Sequence, residues 1–313
     1  MMWIAGILLI FAGVILAIAA WIAARYTRLR SDFPNPSYKE AQLRPKVQSF
    51  LADDVSVTWI GHSTLYINLF GIRILTDPVF SEKVGVSVAR LATVGPKRYT
   101  GPAVALEDVG PVDVVLLSHA HLDHFDLPSL RQIASGQTEV VTAEATSRLL
   151  RRLPFHKVHE AHHDQVLQLR NGLKVLPVPV RHWGRRYPWN KDYGWTGYLL
   201  EYRGVRLFFA GDTAYTPDFQ RLVEHGPIDL AFIPIGAYAP DNFQRSHCTP
   251  EQAWQMFLDS GAKRLVPIHW NTFVLSKEPV DEPLQRLLTA AGDAADRIVL
   301  REPGAVFRLS QDP

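Results

Sequence analysis

Seven consecutive residues concentrate the chemistry of this chain: Ser118, His119, Ala120, His121, Leu122, Asp123 and His124. They leave an apolar run, Val114, Val115, Leu116 and Leu117, of the kind that makes a buried strand. A loop leaving a strand end can aim alternate side chains at one point, so His119 and His121 can share one metal ion while Asp123 and His124 turn toward a neighbouring one. Imidazole with carboxylate suits zinc and tolerates manganese or iron. Three further residues stand in matching contexts. His182 follows Val178, Pro179, Val180 and Arg181; Asp212 follows Phe208, Phe209, Ala210 and Gly211; His269 follows Leu265, Val266, Pro267 and Ile268. Each alone is more often structural, but with the loop they complete a ligand set. A contrasting group, His156, His159, His162 and His163, follows no apolar strand and reads as an accidental surface cluster.

The elements that must position these residues are short. Strand-like runs cover 55–60, 64–69, 72–75 and 114–117, and 127–133 can begin a helix. A second series follows, with strands at 173–178, 197–202, 205–210 and 230–233, helices at 250–258 and 283–291, and closing strands at 298–300 and 305–309. Two β-rich halves with helices outside make a layered α/β sandwich. Ahead of them, residues 1–24 carry no charge, hold Trp3 and Trp21 near their ends, and are followed by Arg25, Arg28 and Arg30. About 20 apolar residues suffice to span a bilayer, so this stretch is expected to be a transmembrane anchor. No basic residue precedes it, which argues against a cleaved signal peptide, and the arginine flank places the catalytic domain in the cytoplasm. The reading is therefore a single-pass membrane protein: anchor 1–24, juxtamembrane linker 25–54 broken by Pro34, Pro36 and Pro45, and folded domain 55–313.

Composition narrows the classes further. The 313 residues are 47% hydrophobic and 20% charged, which excludes a disordered or fibrous chain. With 33 basic and 31 acidic residues the net charge is +2, so nothing global calls for a nucleic-acid partner. A single cysteine, Cys248, excludes an intrachain disulfide framework and a cysteine zinc cluster.

Beyond the ligand set, further strings recur in order. They include Trp59, Ile60, Gly61, His62, Ser63, Thr64; Leu75, Thr76, Asp77, Pro78, Val79, Phe80; Gly95, Pro96, Lys97, Arg98; and His182, Trp183. Phe209, Ala210, Gly211, Asp212, Thr213; Ile233, Pro234, Ile235, Gly236, Ala237, Tyr238; and Ile268, His269, Trp270 continue the series. Together they resemble the N-acylphosphatidylethanolamine-hydrolysing phospholipase D branch of the metallo-β-lactamase fold superfamily. The resemblance implies an αββα sandwich and two zinc ions per chain, one on His119, His121 and His182, the other on Asp123, His124 and His269, with Asp212 bridging. Seven ligands exceed one tetrahedral ion and suffice for two about 3.5–4 Å apart.

Such a pair activates water and polarises a phosphoryl oxygen, so Asp123 and Asp212 count as catalytic and no side-chain nucleophile is needed. Proton handling near the leaving group falls to His247, for which an ordinary hydrogen-bonded loop histidine is the competing reading. Arg181, Arg185 and Arg186 surround His182, with Tyr187, Trp189, Tyr193 and Trp195 nearby; Arg185 and Arg186 are offered to a substrate phosphate. Leu122 stands where the mammalian enzyme has an aromatic, which bears on chain or head-group preference. His62 is expected to hydrogen-bond a ligand rather than to ligate. The implied substrate is a membrane phospholipid cleaved to N-acylethanolamine and phosphatidic acid. A lactonase of the same fold and a non-catalytic zinc-binding membrane accessory protein are the alternatives.

Overall fold

The computed structural model describes residues 2–88, 92–163, 165–187, 190 and 193–309; Trp189 lies outside the described residues. Helix α1 (Met2–Leu29) precedes β1 (Val55–Gly61), β2 (Thr64–Leu69), β3 (Ile72–Thr76), the small pair β4 (Val86–Val88) and β5 (Ala92–Val94), α2 (Leu106–Val109), β6 (Val114–Leu117) and α3 (Leu127–Ile133). Next come β7 (Glu139–Ala143), β8 (Lys157–Ala161), β9 (Leu167–Gln168), β10 (Lys174–Val178), β11 (Gly197–Tyr202), β12 (Val205–Phe209) and β13 (Leu230–Pro234). The order closes with α4 (Pro250–Asp259), β14 (Arg264–Ile268), α5 (Glu282–Ala291) and β15 (Val306–Leu309).

Two sheets face each other. One runs β15-β1-β2-β3-β6-β7-β8 and the other β14-β13-β12-β11-β10-β9. The two-residue period of a strand sorts their side chains into layers. Val57, Trp59, Leu65, Ile67, Ile74, Val114 and Leu116 point between the sheets, where they join Leu200, Leu207, Phe209 and Phe232 in the main core. The alternate positions Ile60, Tyr66, Leu75, Val115 and Leu117 face outward onto Phe125 and Leu130. On the far side α4 and α5 add Trp254, Phe257 and Leu287 to the main core. This is the αββα sandwich of the metallo-β-lactamase fold. Both tight hairpins, Phe70-Gly71 and Arg203-Gly204, have positive φ at each of their two residues (50° and 85°; 48° and 81°), the geometry whose twist matches the flanking strands. Helix α4 starts on a reciprocal cap between Thr249 and Gln252, with Pro250 in its first turn.

Three sequence expectations need revision. Residues 298–300 form no strand; Ile298 makes a lone parallel bridge with Leu265. Strands β7 and β8 were not expected; Lys157–Ala161 is a half-exposed edge strand with no apolar alternation to betray it, whereas Glu139–Ala143 is buried along its length between β6 and β8. The third revision concerns the N-terminus. Residues 2–29 are helical, yet among the described residues no helix is long and apolar enough to cross a membrane, which overturns the single-pass reading and the topology built on it.

Residues 25–54 are not a loose tether either. Helix α1 runs on to Leu29, the Arg30 guanidinium donates to the Val274 carbonyl, and Lys277 Nζ meets the Asp32 carboxylate at 3.1 Å. Lys39 bridges in parallel to Thr100, and Ala41 and Val47 are buried.

Candidate metal centre

Strands β1, β3 and β6 of one sheet, and β10, β12, β13 and β14 of the other, each run parallel within their sheet, so their C-terminal ends gather at one edge. His62 follows β1, residues 118–124 follow β6, His182 follows β10, Asp212 follows β12 and His269 follows β14. The edges are drawn together by a bond from Thr196 N to the Ser118 carbonyl (3.0 Å) and by Gly211, whose φ of 62° and lack of a side chain permit the approach. A Cβ on Gly211 would lie 2.6 Å from Ser118 Cβ.

The candidate ligands fall into overlapping groups. His119, His121, His182 and Asp212 offer ligand atoms within 4.8 Å of one another, and so do His62, Asp123, His124 and His269. Asp212 reaches residues of both groups: its Oδ2 lies 3.1 Å from both His124 Nε2 and His269 Nε2, 3.8 Å from His182 Nε2 and 3.9 Å from His119 Nε2. His247 Nδ1 is 3.8 Å from the same oxygen, so this residue also stands within a possible ligand group, with Asp212 and His269.

The donor chemistry fits metal. His121 Nε2, His124 Nε2, both ring nitrogens of His269, His247 Nδ1 and Asp212 Oδ1 are buried without a hydrogen-bond partner. Buried polar atoms are almost always paired, and so many orphans converging on two carboxylates are what cations would satisfy. Protonation states agree. Burial, with neighbouring imidazoles, pushes His119 well down and His121 down to about 3, leaving both neutral and able to ligate. Burial lowers His182 as well, against the pull of Asp212. Burial opposes ionisation of Asp212, but His124 and His269 outweigh it and keep the carboxylate charged. Burial would likewise lower His269, yet Asp212 and Asp123 raise it to about 9, the response of an imidazole among unneutralised carboxylates.

Outer partners orient the rings. Asp77, with φ of 33° just past β3, accepts from His124 Nδ1 at 2.7 Å, from Ser118 N at 2.7 Å and from Ser118 Oγ at 2.5 Å. Ser118 Oγ also meets His119 Nδ1 at 2.9 Å, and the Ser246 carbonyl accepts from His182 Nδ1 at 2.8 Å. Each contact turns the opposite nitrogen, Nε2, toward the centre. Sequence reasoning passed over Asp77, although an aspartate closing a strand before Pro78 was a usable signal; nothing in the sequence pointed to the Ser246 carbonyl. His62 Nε2 lies 3.1 Å from Asp123 Oδ2, and His62 also falls within a ligand group.

A cleft of about 390 Å³ opens over the centre, with His121, Asp123, Asp212 and His247 on its floor and Leu122, Trp183 and Arg185 along its wall. Arg181 is exposed, and its backbone bonds Thr213 and Ala214. Arg186, also offered by the sequence to a phosphate, lines the same cleft, but its Nη1 is committed to the backbone. It is 8% exposed and its Nη1 donates to the carbonyls of Ala120 and Phe125, both at 2.9 Å, clamping the loop that carries His121, Asp123 and His124.

A family model described as a beta-lactamase superfamily domain matches residues 72–270. The chain belongs to this superfamily. It is a metal-dependent hydrolase of the metallo-β-lactamase fold. It is 34% identical to an uncharacterised protein of Mycobacterium bovis, over 92% of this chain and 77% of that one. It is 29% identical to an N-acyl-phosphatidylethanolamine-hydrolyzing phospholipase D of Caenorhabditis elegans, over 84% of this chain and 80% of that enzyme. The crystal structure of a possible metal-dependent hydrolase from Veillonella parvula shares the fold, with a TM-score of 0.66 at 17% identity over 82% of this chain and all of the other.

Proposed function

We propose that this hydrolase cleaves the phosphodiester of a phospholipid, an N-acylphosphatidylethanolamine, to N-acylethanolamine and phosphatidic acid. The observation that carries the reading is the cleft itself: a carboxylate and imidazole floor, the Arg185 guanidinium at its wall, and apolar flanks from Val84, Val86 and Leu275. That combination suits an amphiphile with an anionic reacting group. The likeness to the Caenorhabditis elegans enzyme supports the same substrate class.

In this reading His119, His121 and His182 would hold one zinc ion and Asp123, His124 and His269 the other, with Asp212 as a further ligand. Zinc bound there supplies a water acidic enough to ionise near neutral pH and positive charge for a phosphoryl oxygen. The chain's own residues do the rest. Arg185 offers paired donors to the non-bridging phosphate oxygens. His247 lines the cleft, and burial holds its ring well below the usual histidine range, so a neutral imidazole faces the leaving oxygen with a hydrogen-bond donor. Leu122 and the apolar flanks exclude water from the reacting group. The substrate is drawn from a phospholipid surface.

The test is hydrolysis of a panel of phospholipids and lactones in ¹⁸O-water, with mass spectrometry of the products. Label is expected in the phosphate of phosphatidic acid and none in the released amide alcohol. Label in a carboxylate, or lactones turned over far better than any phospholipid, would replace this reading with a lactonase.

A further inference from the structure

Helix α1 ends over the cleft. Tyr26, in its last turn, lines the same space as His121, Asp123 and Asp212, together with Val84, Val86 and Val94 from around the β4–β5 pair. The position is built. Arg30 lays its guanidinium over the Tyr26 ring at 5.4 Å and the Phe33 ring at 4.6 Å while donating to the Val274 carbonyl. Asp32 is tied to Lys277 at 3.1 Å. Val274, Leu275 and Lys277 lie just beyond His269, so the helix end is fastened to the segment that follows a candidate ligand. Tyr26 is half-buried, and burial raises its phenol above the ordinary value, which keeps the ring uncharged.

The charged and imidazole groups of the cleft are those of its floor with Arg185 and Arg186, whereas Val84, Val86, Val94 and Leu275 give the same space an apolar wall shared with Tyr26. A phosphate seated on the floor therefore sends any attached hydrocarbon between the β4–β5 pair and α1. We propose that Tyr26 is a specificity-determining residue, roofing the passage taken by the hydrocarbon chain of the substrate and making α1 part of the lipid-binding site. This rests on the phospholipid reading above. It differs from the membrane-span reading because it needs only the end of the helix, placed against the catalytic domain.

The experiment measures binding of monoalkyl phosphates with chains of graded length, below their micellar concentrations, to the full zinc-loaded chain by calorimetry. Each fully buried methylene is worth about fourfold in affinity, so wild-type affinity should climb with length. In Tyr26→Ala the ratio of long-chain to short-chain affinity should fall about tenfold or more, and Tyr26→Phe should retain it, since the ring and not the hydroxyl makes the contact. Arg30→Gln, which frees the helix end without altering the wall, should flatten the same dependence and serves if Tyr26→Ala does not fold. An unchanged ratio in the folded variants, or an equal loss at every length with full metal content, would overturn the role of Tyr26. Phospholipid turnover by wild-type protein, measured alongside, separates the two ideas. A chain-length dependence carried by Tyr26 in a protein that cleaves no phosphodiester would remove the phospholipase reading and leave this one standing.

Discussion

Residues 118–124 and residues 156–163 are both dense in histidine, yet they have opposite fates. The first stretch leaves β6 at the edge where both sheets end, and its rings converge with Asp212, His182 and His269 in a buried cluster. The second runs along β8 at the rim of a sheet, where successive side chains point to opposite faces. His156 and His163 are exposed there, and His159 is spent on Glu139 at 2.9 Å. Imidazole density does not make a metal site. A strand end does, because it releases the backbone from alternation and lets neighbouring side chains share a focus, while partners such as Asp77 and the Ser246 carbonyl fix each ring.

The sharpest way to break this comparison is to remove one imidazole from each stretch. His121→Ala should cost most of the bound metal and more than about a hundredfold in turnover, exceeding the 10–100-fold typical of groups one step further out. His159→Ala should leave metal content and turnover at wild-type values. Elemental analysis of the purified variants decides it. A full metal complement in His121→Ala, or depletion in His159→Ala, would erase the distinction.

The difference also explains what could be read in advance. Loop 118–124, His182, Asp212 and His269 were legible because each follows an apolar strand, a local pattern within a few residues. The β-rich halves were legible for the same reason, and the Phe70-Gly71 and Arg203-Gly204 turns reinforce them. Illegible were the features set by distant partners. Nothing local shows that Tyr26 reaches a cleft floored by Asp212, or that Arg30 bonds the backbone at Val274. Composition alone made residues 1–24 look like a span, and it was silent on how the segment after them packs. Arg185 and Arg186 make the point within a single dipeptide. The residue type suggested phosphate binding for both and both line the cleft, but Arg185 is exposed while Arg186 is buried with its Nη1 committed to two loop carbonyls.

That dipeptide provides the second test, with an intermediate effect. Arg186→Ala leaves the buried carbonyls of Ala120 and Phe125 without their charged donor, a loss of about 3 kcal/mol in unfolding free energy, with weakened metal retention as the loop loosens. Arg185→Ala, at an exposed residue, should cost less stability than Arg186→Ala, yet reduce kcat/KM on phosphodiesters about tenfold. Lactone hydrolysis should be spared in Arg185→Ala, since a neutral ester offers no anionic oxygen to a guanidinium. Denaturant melts and paired kinetics would show the split. Equal stability losses in the two variants would mean that the loop is held by something other than Arg186.

The smallest effect belongs to the second histidine stretch and concerns pH. Glu139 at the start of β7 is 3% exposed; burial alone would raise its carboxyl, but the bond from His159 Nε2 and the bond from Arg170 N at 3.0 Å outweigh burial and hold it below the usual glutamate range. The Arg170 guanidinium, 3.9 Å away, acts in the same direction. A carboxyl whose folded value is depressed binds fewer protons folded than unfolded, so its contribution to stability is full above the ordinary value near 4.3 and disappears as the pH falls through the lowered one. Glu139→Gln should therefore be less stable than wild type at pH 6 and approach it by pH 3, while metal content at pH 7 stays the same. Chemical denaturation of both proteins across that range measures the convergence. A stability gap that persisted unchanged to pH 3 would show that Glu139 acts through shape alone, and the His159 pairing would then contribute nothing through charge.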